Sequence, residues 1–399
     1  MTAGKGNLVV AQGGGPTAVV NASLYGVVRE AAARLDASAR IWGARGGILG
    51  VLHQHWTDLR RPNPENWEAI AASPGAALGS CRKMLTQEEA AEAVRVLKAA
   101  EVRYFVYIGG NDSMDTALKM SHAAAACHYD LHVAGAPKTI DNDLPLTDHC
   151  PGFGSAARYF AQAAIDLSAD VRALPVPVSI LEVMGRNAGW LTAATVLAKR
   201  DPDDGPHLIY VPEAPVSAGR FLRDVERVHA RQGWVVAAVS EGLRDENGRS
   251  LGGPRDKAAV DGFGHALPGD VAAALARLVT SELGLRARSE KPGLCGRACA
   301  LMVSPVDRRE ARESGQFAAA WAIQGHSGFM ASIQRAGSGP YAVEYRPVPL
   351  AGVANLERRL PPEYVNAEGN GVEESYRDYV EPLVGGPLLR YPRLETGKE

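Results

Sequence analysis

Two carboxylates stand two residues apart, with a lysine three residues ahead of the first, in the run Pro137-Lys138-Thr139-Ile140-Asp141-Asn142-Asp143. The residues before it, 131–136, read as a β-strand. Carboxylates at a strand end are costly unless they hold a metal, act as a base or meet a lysine. Phosphoryl transfer uses all three elements: a cation on the phosphates, a metal, and a group that takes the hydroxyl proton. An Asx-rich turn accounts for the same residues without any chemistry, and the run alone leaves both readings open.

Three other loops carry related signals. Gly13-Gly14-Gly15-Pro16 follows an apolar strand at 7–12 and opens a helix expected over 17–35. Glycines there let a backbone approach a phosphate, and a helix N-terminus favours anions. The stretch also fits a dinucleotide fingerprint, but that requires an acid at the end of the second strand. Asp36 instead precedes the strand expected at 40–43, and no P-loop sequence occurs anywhere. Gly109-Gly110-Asn111-Asp112-Ser113 lies between a strand (102–108) and a helix running to about 127; it suits phosphate or metal–phosphate binding, or a plain N-cap. Met184-Gly185-Arg186 follows a strand at 178–183 and precedes another helix. Arg186 there can fork onto a phosphate or sugar oxygen.

The elements that must position these loops alternate. Further strands are expected at 207–211 and 234–239, with a helix over 216–231 between them. Such a rhythm implies parallel sheets covered by helices, and ligands gather at the carboxyl ends of their strands. Every loop named above falls at such an end. The chain has 399 residues, enough for two domains, with 46% hydrophobic and 22% charged residues. Its formal net charge of −2 excludes a binder of nucleic acid or anionic membrane driven by bulk electrostatics. No apolar run approaches the roughly 20 residues of a membrane helix, and the N-terminus lacks the features of a signal peptide. The five cysteines (81, 127, 150, 295, 299) have no zinc-site spacing and read as free thiols in a reducing cytoplasm. Residues 60–64 and 244–257 read as surface loops. The tail after Gly352 reads as a wrap over the surface or over a partner subunit, with a frayed tip at 394–399.

Taken together, the four loops resemble the phosphofructokinase family over roughly residues 7–300, with PKTIDND and MGRNAGW the most specific elements. The resemblance implies two doubly wound parallel-sheet α/β domains. Residues 1–150 and about 298–350 would bind the phosphoryl donor, and 151–297 and 351–399 the sugar phosphate. It implies that Gly14, Gly110, Ser113 and, in Gly79-Ser80-Cys81-Arg82, Arg82 contact the donor, and that Asp141 deprotonates the sugar's 1-hydroxyl. Thr139, Ile140 and Asp143 would position the reacting groups. Met184, Gly185, Arg186 and Glu241, the last in Val239-Ser240-Glu241-Gly242, would bind the sugar phosphate. Arg297, in the run 291–297, and Arg288 would take its 6-phosphate.

Donor choice rests on two positions. ATP-using members carry GGDGS and PGTIDND, whereas this chain has Asp112 and Lys138 where they have glycine. A carboxylate at 112 repels the α-phosphate of a nucleotide. A lysine at 138 supplies a cation to the leaving phosphate. Both substitutions mark the family's pyrophosphate-dependent members, so the expected reaction is reversible transfer from pyrophosphate to fructose 6-phosphate, in glycolysis or gluconeogenesis. An ATP-dependent kinase of the same family and a non-catalytic sugar-phosphate sensor are the rival readings. Mg2+ is the implied cofactor, and a cytoplasmic homodimer or homotetramer the implied assembly. Asn111 stands where many members have a magnesium-binding aspartate; its amide oxygen can ligate without the charge, leaving Asp141, Asp143 and the substrate phosphates to contribute. Leu294 replaces a frequent His or Tyr, and Pro177 occupies the place of an intersubunit arginine.

Overall fold

The computed structural model describes residues 4–60, 64–252, 269–337 and 339–392. Its strands are β1 (Asn7–Gln12), β2 (Ile41–Ala44), β3 (Trp56–Asp58), β4 (Val102–Gly109), β5 (His132–Pro137), β6 (Val178–Val183), β7 (Leu208–Tyr210), β8 (Val235–Ser240), β9 (Ala287–Glu290), β10 (Phe329–Arg335) and β11 (Val343–Pro349). They form two sheets, a seven-stranded one in the order β11-β10-β5-β4-β1-β2-β3 and a four-stranded one in the order β7-β8-β6-β9. The smaller sheet is parallel throughout. The larger is parallel in its middle, with β3 and β11 antiparallel at the two edges.

Side-chain alternation explains why both sheets are covered on two faces. In β1, Val9 and Ala11 enter one apolar cluster and Leu8 and Val10 the other. Phe105 and Tyr107 of β4 divide from Tyr104, Val106 and Ile108 in the same way. Around the second sheet, Leu181 and Val183 face one cluster while Val178 and Ile180 face another. The covering helices carry local start and stop signals. Thr86 and Glu89 form a capping box at the head of Gln87–Ala99. Ser217 caps Ala218–Gln232, which ends on left-handed Gly233. Ser304 caps Pro305–Ile323, with Pro305 in its first turn.

The strands expected from sequence at 7–12 and 178–183 have those bounds, and the others differ by one residue at one or both ends. The helix expected after Met184-Gly185-Arg186 is broken: a four-residue α-turn, Trp190–Ala193, passes into a 3-10 segment, Ala194–Ala198. β3, β9, β10 and β11 were not among the expected strands; β3, β9 and β11 are part-exposed edges and β10 enters the sheet from far along the chain. Of the expected loops, 61–63 and 253–257 lie outside the described residues, as does the tip at 394–399.

The tail requires a correction. Most of it runs over the surface as expected, but it is also stitched into the core at several points. Leu350, Val353 and Ala354 join a cluster of the first sheet, and Leu360, Tyr376, Val380, Leu383 and Val384 join one of the second. Burial of Tyr376 and its hydroxyl's hydrogen bond to the Trp190 carbonyl make this segment an internal brace. Truncating Tyr376 to alanine is expected to cost about 4 kcal/mol by the usual cost of deleting a buried aromatic. Tyr376→Phe removes only the hydroxyl and should cost about 1 kcal/mol. Urea unfolding of both variants checks this; two values within about 0.5 kcal/mol of wild type would return the tail to the surface.

Candidate active site

The carboxyl ends of β1, β4 and β5 in one sheet, and of β6 and β8 in the other, open on one cavity of about 770 Å³. Neighbouring loops are tied together where the strands end. The Gly13 N–H donates to the Ile108 carbonyl at 2.8 Å, the Lys138 N–H to Gly109 at 3.0 Å, and the Glu241 N–H to Val183 at 2.9 Å. In the larger sheet the chain leaves β1 towards β2 on one side and has β4 on the other, so the glycine loops at 13–15 and 109–110 flank a switch in strand order. Open α/β sheets bind ligands there.

On this wall, where the resemblance implies the donor, Gly14 has φ +72°, a left-handed conformation that glycine adopts without strain. The Ser80 hydroxyl donates to the Gly14 carbonyl at 2.6 Å and the Gly14 N–H donates to Cys81, which lays the segment carrying Arg82 along the loop. Lys138 lies beneath the loop, only 4% exposed, and its ammonium donates to the Gly15 carbonyl at 2.8 Å. Burial, followed by the charge of Arg297, pushes the lysine down to about 8. Gly110 caps the helix Asn111–Ala126, and Asn111, Asp112 and Ser113 in its first turn all line the cavity. Ser113 is buried against the Tyr107 hydroxyl and close to Gly13, so it packs the neighbouring glycine loop against the helix start.

Asp141 and Asp143 are half-buried in the cavity wall. Burial, then the Asp143, Glu241 and Glu357 carboxylates, raise the Asp141 carboxyl above the usual range, with Arg186 opposing. Burial, with Glu357 adding to it, raises Asp143 as well. The Asn111 amide nitrogen donates to one Asp143 oxygen at 3.0 Å. The other Asp143 oxygen and the Asn111 carbonyl oxygen are buried without a hydrogen-bond partner. Two orphaned oxygens on residues that line the cavity suit Mg2+, which binds protein through one or two such groups and keeps several waters. Among the described residues no three His, Cys, Asp or Glu side chains gather into a metal cage.

On the opposite wall, where the resemblance implies the sugar phosphate, the Gly185 N–H donates to Glu241 at 3.2 Å and the Gly185 carbonyl accepts from the Ser240 hydroxyl. Met184, Arg186 and Glu241 line the cavity, whereas Gly185 shapes the turn and does not. Ile140 lines it from the apolar cluster of the second sheet. Arg297 reaches across to the donor wall: a Cβ on Gly15 would lie 2.5 Å from its guanidinium, with Arg82 behind. Arg288 is not brought to the cavity. It is exposed on β9 opposite Ser179, in the amino-terminal half of β6 and hence towards the wrong end of the strand.

Sequence reasoning missed Lys291, Asn187 and the tail residues Asn355, Leu356 and Glu357, all of which line the cavity. Lys291 and Asn187 sat inside runs already singled out. Nothing in the composition of the tail marked Glu357. Altogether five cationic and five carboxylate side chains line the cavity, a mixed field suited to holding polyanions while keeping a base and a metal site among them.

Behind the carboxylate loop lies a second polar cluster. His149, 2% exposed, bridges Asp148 at 2.8 Å and Glu310 at 2.7 Å. Tyr341 donates to Glu310, and Arg335 and Arg309 approach the two carboxylates. Burial opposes charge on His149, but the hydrogen bonds and charges of Asp148 and Glu310 prevail and lift it to about 9. Its folded value lies above the unfolded one of about 6.5. The stabilisation is therefore complete below that pH and is lost as pH rises through about 9. The stability gap between wild type and His149→Gln is expected to narrow from pH 6 to pH 10 in urea unfolding; a constant gap would mean that His149 is neutral throughout.

Comparison with known proteins agrees with this geometry. Residues 7–322 match the Phosphofructokinase family. A pyrophosphate–fructose 6-phosphate 1-phosphotransferase of Xanthomonas campestris pv. campestris is 42% identical over 389 residues, covering 96% of this chain and 92% of that one. One of the same name from Rhodospirillum rubrum is 42% identical over 399 residues, covering 99% and 98%. The crystal structure of a pyrophosphate-dependent phosphofructokinase from Marinobacter aquaeolei superposes with a TM-score of 0.86 at 34% identity, covering 98% of this chain and 94% of that one. The chain belongs to the phosphofructokinase family.

Proposed function

We propose that this protein transfers a phosphoryl group from pyrophosphate to the 1-hydroxyl of fructose 6-phosphate, giving fructose 1,6-bisphosphate and phosphate. The carrying observation is the donor wall. A buried lysine sits under the glycine loop at position 138, and a carboxylate lines the cavity from the helix start at 112. Relatives of the same reaction name span nearly the whole chain.

In this reading pyrophosphate lies against Gly14, Gly110, Arg82 and Lys138, and the sugar phosphate against Met184, Arg186 and Glu241. Arg297 lies between the two and serves the anion that bridges the cleft. Asp141 takes the proton of the 1-hydroxyl as its oxygen bonds to the near phosphorus. The bridging P–O bond breaks, and the departing phosphate keeps the electron pair beside Lys138. A carboxyl raised by burial and by its acidic neighbours is a stronger base than an ordinary aspartate, which suits proton abstraction near neutral pH. Asn111 and Asp143 are the residues that would hold Mg2+. When bound, the ion supplies charge neutralisation to the phosphate oxygens. The phosphoanhydride spent and the ester formed are close in energy, so the reaction runs both ways.

Asp112 excludes nucleotides by placing negative charge where an α-phosphate would lie. The five free cysteines suit a reducing cytoplasm. Leu294 and Leu301, 63% and 94% exposed on either side of Arg297, fit burial against a second copy of the chain.

Initial rates with pyrophosphate and with ATP, at fixed fructose 6-phosphate and Mg2+, test the donor. Pyrophosphate should be the faster by a wide margin, and Asp112→Gly with Lys138→Gly should reverse the preference. A wild type faster with ATP would make the protein a nucleotide kinase. Asp141→Asn should lower kcat about 1000-fold, the scale of a lost general base, while calorimetry still detects fructose 6-phosphate binding. Unchanged turnover would remove Asp141 from the mechanism.

A further inference from the structure

The loop that carries Asp141 and Asp143 has no regular structure between β5 and the helix Phe153–Ala173. Two of its non-glycine residues, Asn142 at φ +56° and Leu146 at φ +59°, are in the left-handed region. Such a loop does not hold itself; something outside it has to satisfy its carbonyls and keep the strained turns.

A single residue of the tail does much of this. The Arg358 guanidinium donates to the Asn142 carbonyl through Nε at 3.3 Å and Nη2 at 2.9 Å. Its Nη1 donates to the carbonyls of Thr147 at 2.7 Å and Asp148 at 2.6 Å. The Arg358 backbone N–H donates to the Asp143 carbonyl at 2.7 Å. Four carbonyls on both sides of the loop therefore converge on one side chain and its peptide. The same guanidinium stands 4.4 Å from the centroid of the Trp190 ring, and the Trp190 indole N–H donates to the Arg358 carbonyl at 3.1 Å. Trp190 closes the Met184–Trp190 segment that forms the acceptor wall. Arg358 thus touches both the loop that bears the base and the segment that bears the sugar site.

The rest of the segment shows why Arg358 is placed so accurately. Asn355 donates to Asp115 at 2.8 Å on the donor-side helix, and Asp115 is in turn held by Lys119. Leu360 is buried in the cluster of the second sheet. Residues 355–360 are consequently pinned at both ends across the cleft.

We propose that Arg358 is a positioning residue for phosphoryl transfer, which holds the Asp141–Asp143 loop in register with the acceptor wall through Trp190. It does not touch substrate; it acts through the loop. The proposal rests on the phosphotransferase reading for its kinetic consequence but on the contacts above for its structural one. A lysine cannot replace it, because a single ammonium lacks the planar fork that reaches three carbonyls while stacking on an indole.

The test compares wild type, Arg358→Lys and Arg358→Ala. For Arg358→Lys, kcat should fall about 100-fold, the scale of a 1 Å misplacement of reacting groups. Pyrophosphate affinity measured by calorimetry should change by less than about threefold, since the donor wall is untouched. Near-UV circular dichroism should stay native. Millimolar guanidinium should restore turnover to Arg358→Ala, which equal ionic strength of sodium chloride should not do. Hydrogen exchange of peptides covering 139–150 should quicken in both variants while β1 and β4 keep their protection. A kcat within about threefold of wild type overturns the proposal, as does a loss that follows the unfolded fraction without guanidinium rescue. If wild type itself fails to use pyrophosphate, the functional reading falls separately. The exchange data then decide alone: unchanged protection of 139–150 overturns the positioning role, and faster exchange there upholds it.

Discussion

The site is organised around a repulsion. Asp141 and Asp143 stand two residues apart at the end of a parallel strand, and Glu241 and Glu357 add charge of the same sign. Burial raises the Asp141 carboxyl, and the like charges of Asp143, Glu241 and Glu357 raise it further, at a cost to the fold. That cost is tolerable only if the backbone beneath them is held by other means and if the bound state supplies countercharge. Cations on the opposite wall, a metal at the orphaned oxygens of Asn111 and Asp143, and phosphate ligands between them would relieve it in the working complex.

The backbone is held by elements that carry no chemistry themselves. β5 leads the loop out of a fully covered sheet, and the Lys138 N–H ties it to β4 at once. On the far side the His149 cluster anchors it to the helix Pro305–Ile323 through Glu310. Arg358 and Tyr379 supply partners in the middle, the latter accepting from the Asn142 amide and donating to the Asp148 carbonyl. A strained loop persists when its surroundings over-determine it, and here they come from three separate stretches of chain.

Cations divide less cleanly than the two walls. Lys138 follows β5, and Arg82 is carried by the segment laid along the glycine loop after β1. Arg297 comes from beyond β9 yet lies against Gly15 and lowers Lys138 along with burial. Three positive groups so close together repel unless anions intervene. The crowding complements the crowding of carboxylates across the cleft and favours a polyanionic ligand over an empty cavity.

The strand-to-loop grammar was legible in the sequence because it is local. Apolar runs such as 7–12 and 178–183 are buried on both faces, and glycines, prolines and carboxylates punctuate their ends, so the loops at Gly13, Gly109, Lys138, Met184 and Glu241 could be placed at carboxyl ends without coordinates. Residue types alone carried the lysine-and-carboxylate chemistry, and the resemblance of the motifs carried the substrate. What the sequence did not contain was distance. Arg297 matched the motif and Arg288 fell near a second position, and only the fold put Arg288 on the exposed edge strand β9, opposite Ser179, and Arg297 on the cavity. Glu357 and Arg358 lie more than 200 residues from the loop they serve, in a stretch with the composition of a surface wrap. Their roles depend on the tail crossing from one core to the other, a packing of buried side chains such as Val353, Leu360 and Tyr376 that no local pattern encodes. Local spacing determined which groups could react; long-range burial decided which of them meet and what holds them still.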